Sequence, residues 1–176
     1  MENEFDVVVV GAGISGIGAG AHFNLKCPDQ TYVILEGRES FGGTWDLFKY
    51  PGIRSDSDMH TLGYSFKPWV HKKSIANAPA IMEYLEETID EYELHPHIRY
   101  NHHVETANWS PKEGKWIVSV TDKVNNKEIT FKGKLLYMCS GYYKYAHGYE
   151  PKFEGSENFQ GQIVHPQKWS HDVEYE

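Results

Sequence analysis

The sequence predicts an α/β protein with a parallel sheet and a small antiparallel β-meander. Three observations predict it. An apolar run, Phe5-Asp6-Val7-Val8-Val9-Val10, ends at Gly11-Ala12-Gly13-Ile14-Ser15-Gly16, a Gly-x-Gly-x-x-Gly turn. A helix-length stretch leads to a second apolar run, Tyr32-Val33-Ile34-Leu35, closed by Glu36, 20 residues beyond Gly16. Three short strand patterns then follow one another over about 103–131, joined by turn residues. Strand, turn, helix, strand and acid in this order describe a Rossmann-like three-layer fold that binds a dinucleotide.

The glycine turn has a mechanism. Gly11 permits the tight turn, Gly13 lets the backbone approach a pyrophosphate, and Gly16 lets helix and strand pack closely. Ser15 lies in the same turn, at a helix N-terminus whose free N–H groups and positive dipole end would face the phosphates. The Glu36 carboxylate would accept hydrogen bonds from the ribose hydroxyls. A glycine turn alone would be weak, since incidental ones are common; the second strand and the acid make this one specific.

Composition bounds the rest. A chain of 176 residues is one domain, or one domain and part of another. At this size about two thirds of the unfolded surface can be buried. A net charge of −8 argues against a nucleic-acid partner. The Met1-Glu2-Asn3-Glu4 start is acidic and unlike a signal peptide. The uncharged run 7–21 is 15 residues long, below the roughly 20 of a membrane span, and glycine-rich. Cys27 and Cys139 are not in a CxxC pair, which suits a reducing cytoplasm, with Cys139 as a core thiol. His95, His97, His102 and His103 flank a short strand without the spacing of metal ligands, so no metal is expected.

Taken in order, the first helix is expected over 14–26, with Ile17, Ala21 and Leu25 facing inward. Gly18 in its middle has no evident reason, at a cost of about 1 kcal/mol relative to alanine. Residues 40–69 read as a long aromatic loop, too irregular for helix or strand, and such loops are usually functional. A helix is expected over 79–92, with Ile81, Met82, Leu85 and Ile89 on one stripe. Strands at 103–109, 115–121 and 127–131 form the meander, and 135–139 reads as a separate buried strand. The first domain then spans 1–141, and 142–176 is an aromatic connector.

Residues 42–56, Gly-Gly-Thr-Trp-Asp-Leu-Phe-Lys-Tyr-Pro-Gly-Ile-Arg-Ser-Asp, resemble a motif of the Baeyer–Villiger type of class B flavoprotein monooxygenases. Phe159-Gln160-Gly161-Gln162-Ile163-Val164-His165-Pro166-Gln167-Lys168-Trp169 is similar to the fingerprint of the same enzymes, Phe-x-Gly, three residues, His, three residues, Trp. Ser170 departs from the Pro or Asp usual there. Flavin-containing monooxygenases that oxygenate nitrogen and sulfur usually carry Tyr or Phe at the Trp169 position.

The resemblance implies an FAD-binding fold, reduction by NADPH, and capture of O2 as a flavin C4a-peroxide that converts ketones to esters or lactones and oxygenates sulfides. Gly11, Gly13, Ser15 and Gly16 would hold the FAD pyrophosphate and Glu36 its ribose. Gly43, Thr44, Trp45, Asp46 and Leu47 would lie along the flavin, and the Val104 main chain near the adenine. Arg54, Ser55 and Asp56 would sit where flavin and nicotinamide meet, with Asp56 the catalytic acid that orients an arginine. His165 and Trp169 would serve as the connector.

Only one Gly-x-Gly-x-x-Gly occurs, so the FAD-binding fold is expected to be incomplete and the NADPH-binding domain to begin after Tyr175-Glu176. The leading expectation is the N-terminal part of such a monooxygenase, inactive alone. The alternatives are a nitrogen- and sulfur-oxygenating relative, a flavin-binding module completed by a second polypeptide, and a nicotinamide-dependent dehydrogenase.

Overall fold

The computed structural model describes residues 3–170 and 172–173. Six strands form one sheet in the order β3-β2-β1-β6-β5-β4. These are β1 (Glu4–Val10), β2 (Tyr32–Leu35), β3 (Ile98–Arg99), β4 (His102–Ser110), β5 (Lys115–Asp122) and β6 (Lys127–Met138). β1 is central and runs parallel to both β2 and β6, with Val8 opposite Val33 on one side and Leu136 on the other. β3 adds parallel to β2, while β4, β5 and β6 pair antiparallel as the meander. The short strand flanked by the four histidines is β3.

Alternation along β1 divides the core. Val7 and Val9 join Tyr32 and Ile34 beneath α1 (Ile14–Lys26) and α4 (Ala78–Glu91), where Ile17, Ile81, Leu85 and Ile89 are all fully buried. Val8 faces the other way, with Val33 and Leu35, into Val118, Val120 and Phe131 of the curled meander. Helices, parallel sheet and meander are therefore three layers. Each fully buried aliphatic side chain contributes roughly 1.5–3 kcal/mol through removal from water.

Several sequence expectations need correction. Leu25 is 47% exposed, not inward. The last turn of α1 instead presents Phe23, whose ring centroid lies 5.1 Å from that of Tyr32, and Asn24, which donates to the Tyr92 carbonyl at 2.7 Å. The inward path thus steps from Gly20 to Phe23 and Asn24, leaving Leu25 on the solvent side.

The expected strands at 127–131 and 135–139 are one strand, β6, of 12 residues. Gly133 is the changeover, paired with Trp116 of β5 and Phe5 of β1. A side chain there would lie 2.9 Å from a Val8 methyl, so the glycine lets the strand pass between two partners without interruption. Nor is the second half buried: Leu135, Tyr137 and Met138 are 48, 47 and 59% exposed. β5 ends its pairing at Gly133, so the far edge of β6 beyond it meets no strand among the described residues.

Residues 40–69 are less irregular than expected and contain two short helices, α2 (Thr44–Leu47) and α3 (Met59–Leu62). Asp58 caps α3 by accepting the Thr61 amide at 3.0 Å. Tyr64 stacks on Phe66 and Tyr84, while Met59 and Trp69 enter the core. Met82, expected within the core stripe, is only partly buried and lies under the Gly42 turn.

Candidate cofactor site at the carboxyl edge of the sheet

A cavity of about 670 Å³ opens where β1, β2 and β6 end. Gly11 turns the chain there with φ +102°, its amide donating to the Leu35 carbonyl at 2.8 Å. A Cβ on Gly11 would stand 2.5 Å from the Cys139 carbonyl, and one on Gly16 would stand 1.8 Å from the Gly11 carbonyl. Both glycines are required by backbone contacts alone. Gly13 differs: an added Cβ would stand 3.7 Å from the Gly43 Cα, an ordinary contact, so no backbone clash demands a glycine there. Gly13 lines the cavity, and the missing side chain leaves its backbone bare to the close approach of a ligand.

Electrostatics fit the same ligand. No side chain caps α1 and no acid lies in its first turn, so the positive dipole end meets the cavity beside exposed Ser15. Glu36 is 7% exposed, with Oε2 accepting the Ala12 amide at 2.8 Å and Oε1 the Arg38 amide at 2.9 Å. A carboxylate has about four lone-pair directions, so acceptor capacity remains for a diol.

The expected residues divide into two groups. Gly11, Gly13, Ser15, Glu36, Gly43, Thr44, Trp45, Leu47 and Val104 all line the cavity. Gly42 donates its amide to the Ala12 carbonyl at 2.9 Å, tying the Gly42-Gly43 turn to the first glycine turn. Val104 borders a β-bulge at Val104/Thr106, where the β4 ladder is interrupted beside the cavity. Gly16 lies behind the wall. Asp46 turns away toward Arg38 at 2.5 Å and Lys49 at 3.2 Å.

Arg54, Ser55 and Asp56 lie outside this cavity. Arg54 bridges Asn77 and borders a separate groove of about 650 Å³ beside Trp69. Ser55 is buried, its hydroxyl accepting the Ala76 amide at 3.1 Å. Asp56 is exposed; the phenol of Tyr143 at the cavity wall has its pKa raised by Tyr142 first and by burial, with the Asp56 charge a minor addition. His165 accepts the Gln167 amide at 3.1 Å, with its ring against Gly148. Residues 171 and 174–176 of the expected connector lie outside the described residues.

Sequence reasoning missed Arg38, Lys123, His103, Tyr143 and Tyr145, which also line the cavity. Arg38 donates to the Gly43 carbonyl at 3.3 Å, and Lys123 to the Gly37 carbonyl at 2.8 Å. None belongs to a periodic pattern; only the position of Arg38, two residues beyond Glu36, was a signal.

Comparison with known proteins gives the family. FAD-containing monooxygenase EthA of Mycolicibacterium smegmatis is 53% identical over 175 residues, which are 99% of this chain and 35% of that protein. The probable FAD-binding monooxygenase AlmA of an Acinetobacter species is 48% identical, with the same shares covered. An oxidized steroid monooxygenase bound to NADP superposes with a TM-score of 0.77 and 31% identity, over 96% of this chain and 32% of that one. Cyclohexanone monooxygenase from Rhodococcus sp. Phi1 bound to NADP+ gives 0.76 and 28%, over 98% and 32%. The chain thus spans about a third of the length of the relatives it matches. A model of the flavin-binding monooxygenase-like family matches residues 5–176, and the chain belongs to that family.

Proposed function

We propose that the chain is the FAD-binding part of an NADPH- and O2-dependent monooxygenase of the Baeyer–Villiger type, acting on small ketones or sulfides. The observation that carries the FAD assignment is one cavity lined by both glycine turns, Gly13 and Gly43, by the uncapped end of α1 and by Glu36. Gly11 and Gly16 shape the turn, Gly13 and Ser15 take the pyrophosphate, and Glu36 takes the ribose diol. Thr44, Trp45 and Leu47 lie along the flavin and Val104 beside the adenine. Arg38 holds Asp46 and the Gly43 carbonyl, which keeps the second glycine turn in register. Bound FAD would supply the redox and oxygen chemistry, while these residues bind and orient it.

Arg54 and Asp56 belong to the same proposal as residues of the face where nicotinamide would approach, with Asp56 orienting an arginine from elsewhere. Hydride transfer needs a held nicotinamide, and we place its binding in the part of the relatives beyond this stretch. Among the described residues no helix is long and apolar enough to cross a membrane. Both cysteines are free, and we propose a cytoplasmic setting.

The test is a titration of the purified chain with FAD and with NADP. FAD should bind more tightly than NADP, and the chain alone should oxidise NADPH no faster than free FAD does. Tighter binding of NADP would favour the dehydrogenase reading, and robust NADPH-dependent ketone oxygenation by the chain alone would overturn the division of labour.

A further inference from the structure

After β6 the chain passes beside the cavity, and Tyr143 and Tyr145 of the strap formed by residues 142–149 line its wall. Tyr145 lies half-buried in the cavity wall. Its hydroxyl stands 3.4 Å from the place a Cβ on Gly43 would occupy, and the Gly13 Cα is 3.2 Å from that same point. The phenol therefore stands beside the meeting point of the two glycine turns, in the wall of the cavity that a pyrophosphate would enter.

The strap is held from the fingerprint segment. Gln167 donates from Nε2 to the carbonyls of Lys144 at 3.0 Å and Tyr145 at 2.8 Å. His165 lays its ring on Gly148, where an added Cβ would sit 2.0 Å from the ring. One side-chain amide thus fixes the backbone that carries the phenol.

We propose that Tyr145 is a phosphate-binding residue of the dinucleotide site, donating its phenolic O–H to the pyrophosphate, with Gln167 as its positioning residue. The inference rests on the dinucleotide reading above. Burial raises the Tyr145 pKa, opposed by Thr44 and Arg38 and aided by the Glu36 and Asp46 charges, so the phenol is a donor at neutral pH. A phenol here adds what the glycine turns lack, a side-chain donor on the open side of the phosphates.

The experiment compares ADP with adenosine by titration calorimetry on the 176-residue chain, because these probes separate phosphate from ribose recognition. Tyr145→Phe should weaken ADP roughly tenfold to a hundredfold, the effect of a hydrogen bond to a charged group, and leave adenosine unchanged. Gln167→Ala should show the same pattern and add little to Tyr145→Phe, since both act through one bond. Glu36→Gln should weaken both ligands. If Tyr145→Phe leaves ADP affinity unchanged or raises it, the proposal is overturned while the dinucleotide reading stands. If the wild-type chain binds neither ADP nor adenosine, that reading falls and this inference with it.

Discussion

The Glu36 carboxylate accepts the Ala12 amide at 2.8 Å, so the acid that ends β2 is tied to the turn that ends β1. The same side chain lines the cavity, which gives it two tasks. Removing it should therefore affect stability as well as ligand binding. Glu36→Ala leaves a buried amide without its acceptor and should destabilise the chain by about 1–3 kcal/mol. Glu36→Gln keeps one acceptor for the Ala12 amide but turns a donor toward the Arg38 amide, so it should recover only part of that loss while still binding FAD more weakly. Urea denaturation beside FAD titration checks this. Equal stability of Ala and Gln variants would show that the Ala12 bond contributes nothing.

Gly18 has a reason that only the three-dimensional contact supplies. An added Cβ would lie 2.7 Å from the Tyr64 ring, whose hydroxyl donates to the Ile14 carbonyl at 2.5 Å. Tyr64 is stacked by Phe66 at 4.8 Å and by Tyr84 at 5.5 Å, so its ring cannot easily yield. Alanine in a helix normally gains about 1 kcal/mol over glycine. At Gly18 overpacking should reverse the sign, with a net loss of about 1–2 kcal/mol. A higher denaturation midpoint for Gly18→Ala would show that Tyr64 moves freely.

These contacts also show why some features were legible and others were not. The β1-α1-β2 unit was readable because local pattern and burial agree: Val7 to Val10, Gly11 to Gly16 and Glu36 act within 30 residues of chain. Leu25 misled because the inward face of the last turn of α1 passes to Phe23 and Asn24, a phase set by contact with Tyr32 and Tyr92 that periodicity does not show. The fusion of two strands into β6 depends on Gly133 meeting both β5 and β1, a non-local fact. In the site, the motif glycines were legible as backbone requirements. Arg38, Tyr143 and Tyr145 were not, since their places follow from how the meander and the strap line the cavity.

Asp56 should matter little for folding. It is exposed and stands in a loop whose buried anchor is its neighbour Ser55. Asp56→Ala should change stability by no more than about 0.5 kcal/mol, as for exposed sites without special contacts. Ser55→Ala should cost about 1–3 kcal/mol by orphaning the Ala76 amide. In a protein of the relatives' full length, Asp56→Ala should retain FAD and slow oxygenation. A loss of flavin in step with activity would make Asp56 a structural loop residue.

The two cysteines should part in reactivity with pH. Cys27 is exposed at the end of α1, whereas Cys139 lies where β6 meets the glycine turn, and burial pushes its thiol up to about 11 from an ordinary 9.0. The thiolate is the nucleophile, so at pH 8 an alkylating reagent should modify Cys27 first and leave Cys139 largely intact. A thiol whose pKa is raised in the folded state favours that state while it remains protonated. Its contribution is complete below pH 9 and is lost as pH rises from 9 toward 11. Cys139→Ser, whose hydroxyl does not ionise in that window, should flatten this part of the stability profile. FAD filling the cavity beside Cys139 should slow its alkylation further and leave Cys27 unaffected. Mass-spectrometric counting of labelled thiols over time, with and without FAD, measures both effects. Equal labelling of the two cysteines at pH 8 would place Cys139 in open solvent and remove it from the cavity wall.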